Sequence, residues 1–214
     1  MPMNDINQYL EQIQYNIGNV SYIKLIKTGK EAQVHLIKVQ NRLCALKIYK
    51  SNTKFSSRNE YFNIEEIGDK RLIRGAKKKT NKGLKAISSL WKNREYNILE
   101  QLYEYQALVP QPILNMNSAI LMEYLGDINN PAPRLIDITI PKQKQKETYN
   151  IIIDHINLFK QLGFAHGDLS AYNILWYNEL PYIIDFPQII YQENREYRNK
   201  MERDIKNINE YFGY

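Results

Sequence analysis

His166-Gly167-Asp168-Leu169-Ser170-Ala171-Tyr172-Asn173, with Ile183-Ile184-Asp185-Phe186 ten positions further on, is the stretch that decides how the chain is read. Asp168 and Asn173 stand five residues apart, and Asp185 follows on an apolar run. A carboxylate such as Asp168 can orient an attacking hydroxyl or water, while an amide oxygen (Asn173) and a second carboxylate (Asp185) are hard donors suited to magnesium. The plain alternative is a polar turn, in which Asp, Ser and Asn are common for backbone reasons alone.

The flanks favour the first reading. Lys144–Leu162 has helical periodicity with Tyr149, Ile152, Ile153, Ile156 and Phe159 on one face, and Gly163 is its stop. After Asn173, strands are expected over Ile174–Tyr177 and Tyr182–Ile184 around a turn at Asn178–Pro181, so that the second strand delivers Asp185 at its end. A charged amphipathic helix over Asn194–Phe212 carries Tyr197, Met201, Ile205, Ile208 and Tyr211.

Further upstream the period changes. A first helix is expected from the Asn4/Asp5 cap, with Ile6, Tyr9, Leu10, Ile13 and Ile17 as its packing stripe, ending at Gly18. Three β-rich runs follow, Val20–Lys27, Val34–Val39 and Leu43–Tyr49, the last two joined by a turn at Gln40-Asn41. Thr28-Gly29-Lys30-Glu31-Ala32 lies between the first two; backbone N–H groups around Gly29 suit a phosphate, and an ordinary hairpin turn fits as well. In the third run Lys47 is set among apolar residues in Ala45-Leu46-Lys47-Ile48.

Residues 51–86 have little periodicity and read as a flexible insertion, with eight cations between Lys70 and Lys85. Such a run is usually a solvated face, and contact with an RNA backbone is the sharper alternative. Ile87–Tyr105 then reads as a helix with Ile87, Leu90, Trp91, Ile98, Leu99 and Leu102 inward, stopped at Pro110-Gln111-Pro112. Ile113–Met116 and Ala119–Leu125 form a hairpin running into Gly126, where the backbone of Met122-Glu123-Tyr124-Leu125 can serve as a hinge and bind a purine edge.

With 214 residues, 43% hydrophobic and 24% charged, the chain suits one domain or two small lobes sharing a cleft. Its single cysteine, Cys44, excludes an internal disulfide and a cysteine-rich zinc site. With neither a leader nor a membrane-spanning apolar run in the sequence, a cytoplasmic protein is expected. The net charge of +6 favours an anionic partner.

The order and spacing of Lys47, His166–Asn173 and Asp185 match the protein-kinase set V-A-I-K, H-R-D-L-x-x-x-N and D-F-G. Glu95, on the helix after the lysine strand, matches the αC glutamate; Glu100 and Glu104 lie nearer the helix end. Only 29 residues follow Asp185, too few for an activation segment and substrate-binding helices, so a truncated second lobe is expected. In this respect, and in Thr28–Ala32, Lys47-Ile48-Tyr49-Lys50, Pro131-Ala132-Pro133-Arg134-Leu135 and His166–Asn173, the chain resembles the RIO family of atypical serine kinases and ATPases. The phosphate loop and Pro131–Leu135 look like the first RIO subfamily. Ile184-Asp185-Phe186-Pro187-Gln188 looks like the second, and Ala171 stands where members often carry Glu.

The resemblance implies an α+β, bilobal, minimal kinase-like fold: an N-terminal helix (1–19), a β-rich lobe (20–125) with the 51–86 insertion and helix αC, and a truncated helical lobe (126–214). It implies ATP with magnesium, or manganese in its place. Asp168 would be catalytic, Lys47 and Glu95 would hold the α/β-phosphates, and Asn173 and Asp185 would ligate the metal. Nucleotide contacts are expected from Thr28, Gly29, Lys30, Glu31, Val34, Ala45, Lys47, Met122, Glu123, Leu125 and Ile184. Family members act in small ribosomal subunit maturation and phosphorylate themselves on serine, here Ser51, Ser56 or Ser57. The expected partner is a pre-ribosomal small subunit or its RNA, met through the basic 70–85 segment and the C-terminal helix. The chain itself would be a monomer or weak dimer.

Three other readings share parts of this pattern. Aminoglycoside-type phosphotransferases have H-G-D-x-x-x-x-N but need a larger acidic C-lobe. The small kinase of the KEOPS complex has a similar length and an H-G-D-L, without Thr28–Ala32 or Pro131–Leu135. A pseudokinase scaffold would have no need of Lys47, Asp168, Asn173 and Asp185 together.

Overall fold

The computed structural model describes residues 4–50, 69–78, 80–116, 118–186 and 188–214. Ser51, Ser56 and Ser57 lie outside these residues. The chain is α+β, as expected, and divides into two compact units, Met1–Lys54 with Pro110–Pro131 and Phe55–Val109 with Ala132–Tyr214.

The first unit is built on a five-stranded antiparallel sheet in the order β1-β2-β3-β5-β4. Its strands are β1 (Val20–Thr28), β2 (Ala32–Val39), β3 (Arg42–Tyr49), β4 (Pro112–Met116) and β5 (Ala119–Glu123). Side chains alternate between faces along each strand, so the sheet has two distinct surfaces. One is covered by helix α1 (Asn4–Asn16), whose Tyr9 and Ile13 pack on Ile37, Cys44, Leu46, Ile48 and Leu121, with Ile6, Leu10 and Ile17 at the margin. The stripe expected for α1 is therefore core. The other surface carries Leu36, Ala45 and Tyr124, with Ile23, Ile26, Val34, Leu43 and Met122 packed around them. Pro112 sits on edge strand β4, where its missing N–H leaves no gap in the ladder.

In the second unit the chain departs from the expected loop. Lys70–Lys77 is helix α2, and Asn81–Glu104 is a single helix, α3, starting six residues before Ile87. Caps explain both starts: Asp69 Oδ1 accepts from Arg71 N and Leu72 N, and Thr80 Oγ1 accepts from Gly83 N. The two helices meet closely, since a Cβ on Gly75 would press on Thr80 Oγ1 and approach Gly83 Cα. Along α3, Ile98, Leu99 and Leu102 are buried; the side chains of Ile87, Leu90 and Trp91 lie outside those described.

Helix α3 ends at Glu104, well before Pro110. Gln106 takes a positive φ of 58° and Ala107 N donates to Leu102 O at 3.0 Å, a closure that stops the helix without glycine or proline. Leu108 then fixes the exit: its N–H donates to His155 Nε2 of helix α4 (Lys142–Gln161) at 2.7 Å, and its carbonyl accepts from Ile183 N at 2.9 Å.

The rest of this unit comprises β6 (Phe164–Ala165) paired with β9 (Ile190–Tyr191), the hairpin β7 (Ile174–Tyr177)–β8 (Leu180–Ile183), and helix α5 (Tyr197–Phe212). The hairpin turn is only Asn178-Glu179, both at positive φ, so Pro181 falls inside β8 opposite Trp176. Phe159, Phe164 and Phe186 are fully buried together, Phe159 stacking on Phe164 at 5.2 Å and meeting Phe186 edge-on at 6.0 Å.

Candidate active site

Backbone bonds set the spacing of Asp168, Asn173 and Asp185. Asn173 closes a 3-10 turn over Ala171–Asn173, its N–H donating to Ser170 O at 2.9 Å. Its carbonyl accepts from Ile184 N at 3.0 Å, which sets Asp185 one residue from the Asn173 level of the β7–β8 ladder. Asp185 itself is exposed and has a φ of +70°, a conformation in which Asp is among the few tolerated side chains.

The Asn173 amide donates from Nδ2 to the Asp168 carbonyl at 2.8 Å, with Asp168 Oδ2 at 3.5 Å. That bond orients the amide nitrogen toward Asp168 and leaves Oδ1 as the acceptor end. Among the described residues no group of three or more His, Cys, Asp or Glu is placed to hold a metal. An amide oxygen and one carboxylate, with phosphate oxygens and water completing the shell, is the arrangement magnesium commonly takes. The donor set fits that ion.

The loop is held from three sides. His166 is fully buried, its Nε2 lies 3.2 Å from Ile184 O, and its ring is 4.9 Å from that of Phe186. Gly167 has a φ of +81°, and a Cβ there would collide with the Gln188 carbonyl oxygen, so no other residue fits. From α5, the buried carboxylate of Asp204 accepts Gly167 N and Leu169 N at 2.8 Å each, and Asn207 Nδ2 donates to Leu169 O at 2.8 Å. Burial pushes the Asp204 carboxyl above its ordinary value, while His166 and the two N–H groups pull it back. Asp204 was missed in the sequence, although an acid between Met201 and Ile208 on an otherwise apolar stripe was a usable sign.

The Pro-Ala-Pro-Arg-Leu stretch supports the same hairpin. Pro133 O accepts from Trp176 N at 2.8 Å, and Arg134 bridges to Leu175. Arg134 also forks onto Asp137 at 2.7 and 3.0 Å and lies 5.4 Å over the Tyr172 ring.

In the first unit, Lys47 is buried on β3 and lies across from Val34 on β2 and Ile120 on β5. Alternation puts it on the face of Ala45, its Nζ 5.6 Å from the Tyr49 ring. Val34, Ala45 and Met122 of the expected nucleotide set thus share one apolar surface. Leu125 is buried, and Thr28 and Lys30 are exposed. The Glu123 side chain is engaged elsewhere, with Arg42 at 3.4 Å and Gln111 N at 3.3 Å, and its own N–H donates to Gln111 O at 2.8 Å, so neither its carboxylate nor its N–H is on offer. The Gly29 N–H, which the sequence reading offered to phosphate, donates to Ala32 O at 2.8 Å, and Lys50 Nζ holds Gly29 O at 2.6 Å. Glu95 is buried on α3, in the second unit, and Ile184 is half-buried beside Asp185.

The RIO domain model matches residues 33–214 of this chain. The serine/threonine-protein kinase RIO1 of Chaetomium thermophilum is 31% identical over 203 residues, covering 87% of this chain and 38% of that protein. The human protein of the same name is 28% identical over 87% of this chain and 32% of its own length. The RIO-type serine/threonine-protein kinase Rio1 of Thermoplasma acidophilum is 31% identical over 172 residues, 80% of this chain and 85% of the relative. The chain therefore spans about a third to two fifths of those two eukaryotic relatives and most of the archaeal one. With a family match over most of its length, and with its loop, lysine strand and hairpin folded as described, the chain belongs to the RIO family.

Proposed function

We propose that this chain is an ATP-dependent serine kinase or ATPase of the RIO type, working with magnesium (or manganese) and acting in the cytoplasm on the maturing small ribosomal subunit. The observation that carries it is Asn173: its amide nitrogen is tied to the Asp168 carbonyl, which leaves the amide oxygen as an acceptor, and its own carbonyl holds Ile184 N, the neighbour of Asp185. In this reading Asp168 orients a serine hydroxyl, or a water, and receives its proton as the oxygen bonds to the γ-phosphorus and the bond to the departing ADP breaks. Lys47 holds the α/β-phosphates, Glu95 takes the role of the αC glutamate, and the apolar surface of Val34, Ala45 and Met122 takes the purine. Asn173 and Asp185 hold the metal, which when bound offsets charge on the phosphates.

The partner is assigned to the cationic segment, now helical. Lys70, Arg71, Arg74, Lys77, Lys78 and Lys82 are exposed on or beside α2 and the start of α3, a charge density suited to an RNA backbone. No helix among the described residues is long and apolar enough to cross a membrane.

The test is magnesium-dependent ATP turnover by the purified chain, with and without small-subunit particles, and with Asp168→Ala alongside. Stimulation by particles and loss of turnover in the variant are expected. Turnover in Asp168→Ala equal to the parent rejects the catalytic assignment, and turnover only with an added small-molecule acceptor rejects the RIO-type role.

A further inference from the structure

Arg94 precedes Glu95 on α3 and is itself buried, with 6% of its surface exposed. A guanidinium removed from water is costly unless it is paired, so what it touches matters. Its Nη1 donates to the Ile189 carbonyl at 3.2 Å, and its guanidinium carbon lies 4.9 Å from the centre of the Tyr191 ring. Both contacts fall in the segment that follows Asp185.

That segment is fixed on its other side to the catalytic loop. Ile190 and Tyr191 pair with Ala165 and Phe164, immediately before His166, and the Gln188 carbonyl lies against Gly167. Neighbouring helix residues point about 100° apart around the axis. A bond that fixes the direction of Arg94 therefore fixes the direction of Glu95 as well. The far end of α3 is pinned separately, through Leu108 to His155 and Ile183.

We propose that Arg94 is a positioning residue for nucleotide binding: its bond to Ile189 O and its stacking on Tyr191 set the rotation of α3, and so the presentation of Glu95, to match the Asp185 hairpin. The inference rests on the reading that the chain binds ATP with magnesium. It assigns to Arg94 a role that neither the charge nor the spacing of the motif residues supplies.

The experiment compares Arg94→Met, Arg94→Lys, Tyr191→Phe and Tyr191→Leu with the parent for KM and kcat of ATP hydrolysis, with melting temperatures measured in parallel. Arg94→Met is expected to raise KM for the magnesium–ATP complex about tenfold while kcat changes by less than about threefold. Arg94→Lys, which keeps the charge but loses the planar stack, and Tyr191→Leu should fall between it and the parent. Tyr191→Phe should match the parent, and the double variant Arg94→Met/Tyr191→Leu should be no worse than Arg94→Met alone, as coupled residues require. A lowered melting temperature with unchanged KM overturns the proposal and leaves Arg94 a core anchor; so do additive effects in the double variant. If Arg94→Met does not fold, Arg94→Lys and Tyr191→Leu carry the same KM criterion. A parent chain that binds no ATP with magnesium by calorimetry overturns the functional reading and this inference with it, an outcome distinct from an unchanged KM.

Discussion

Asp204 Oδ2 accepts the Gly167 N–H at 2.8 Å, although the two residues stand 37 positions apart, and its other oxygen takes the Leu169 N–H at the same distance. Two buried donors of the His166–Asn173 loop thus depend on one side chain of the last helix. Asp204→Ala leaves both without an acceptor and is expected to cost about 2–6 kcal/mol, at about 1–3 kcal/mol per orphaned group. Asp204→Asn keeps one acceptor oxygen and should lose roughly half as much. Urea denaturation of both variants measures the difference; equal loss would mean the carboxylate charge, not its acceptor count, is what the loop needs.

Gly167→Ala should be damaging out of proportion to its size. The positive φ costs about 1–3 kcal/mol for a residue with a Cβ, and the collision with the Gln188 carbonyl adds to it. The expected result is a less stable chain whose ATP turnover falls by more than tenfold even where it remains folded, read by calorimetry and steady-state assay.

On the proposed metal-holding roles, Asn173→Ala and Asp185→Ala are expected to raise the magnesium concentration for half-maximal turnover by about tenfold or more, each removing one of the two proposed oxygen donors. Asn173→Ala also frees the Asp168 carbonyl from its 2.8 Å bond, so its kcat should fall further than the metal effect alone explains. A magnesium titration of each variant at saturating ATP separates the two losses.

Stability should weaken on mild acidification. His155 accepts the Leu108 N–H on Nε2, and its Nδ1 lies 2.6 Å from Ile151 O, which fixes a neutral ring. Burial holds its pKa below the ordinary 6.5, against smaller upward pulls from Ile151 O and Asp154. Above 6.5 neither the folded nor the unfolded chain protonates this ring, and its contribution is complete. As pH falls below 6.5 the unfolded chain takes the proton first, and the contribution is lost progressively until the folded pKa is passed. His35, buried on β2 with its pKa also lowered, acts in the same direction. His155→Gln should therefore flatten, without abolishing, the decline in unfolding free energy measured by urea titration from neutral pH downward.

Thr80→Ala removes the cap of α3 and its second bond, to Gly75 O at 3.2 Å. A loss of about 1 kcal/mol is expected, with a drop in helical circular dichroism.

Much of this architecture could be read from local pattern. The β-rich runs are distinct enough, and the turn at Gln40-Asn41 specific enough, that the sheet and the Asp185 hairpin follow from neighbours in sequence, although the hairpin turn is Asn178-Glu179 and not the expected Asn178–Pro181. Helix α2 and the start of α3 escaped because eight cations mask the apolar period, and the capping by Asp69 and Thr80 shows only in the structure. The end of α3 at Gln106 was hidden because it uses neither glycine nor proline. That Asp168 and Asn173 meet was legible from spacing, since five residues of chain bring an aspartate and an asparagine to one turn. The burial of Arg94 was not, and Asp204 showed only as an acid on the apolar stripe of the last helix. Their burial is decided by partners 35 to 95 positions away, and nothing nearby in sequence records such a partner.

The two-residue ladder between β6 and β9 has a further consequence. It joins Phe164 to Tyr191, so His166, Asp168, Asn173 and Asp185 all lie inside one short closed loop of chain. Closing a loop of that size has a modest entropic cost, which grows only logarithmically with length. The motif residues thus share one chain closure, and the amide protons of this segment should gain and lose protection against hydrogen exchange as one cooperative unit.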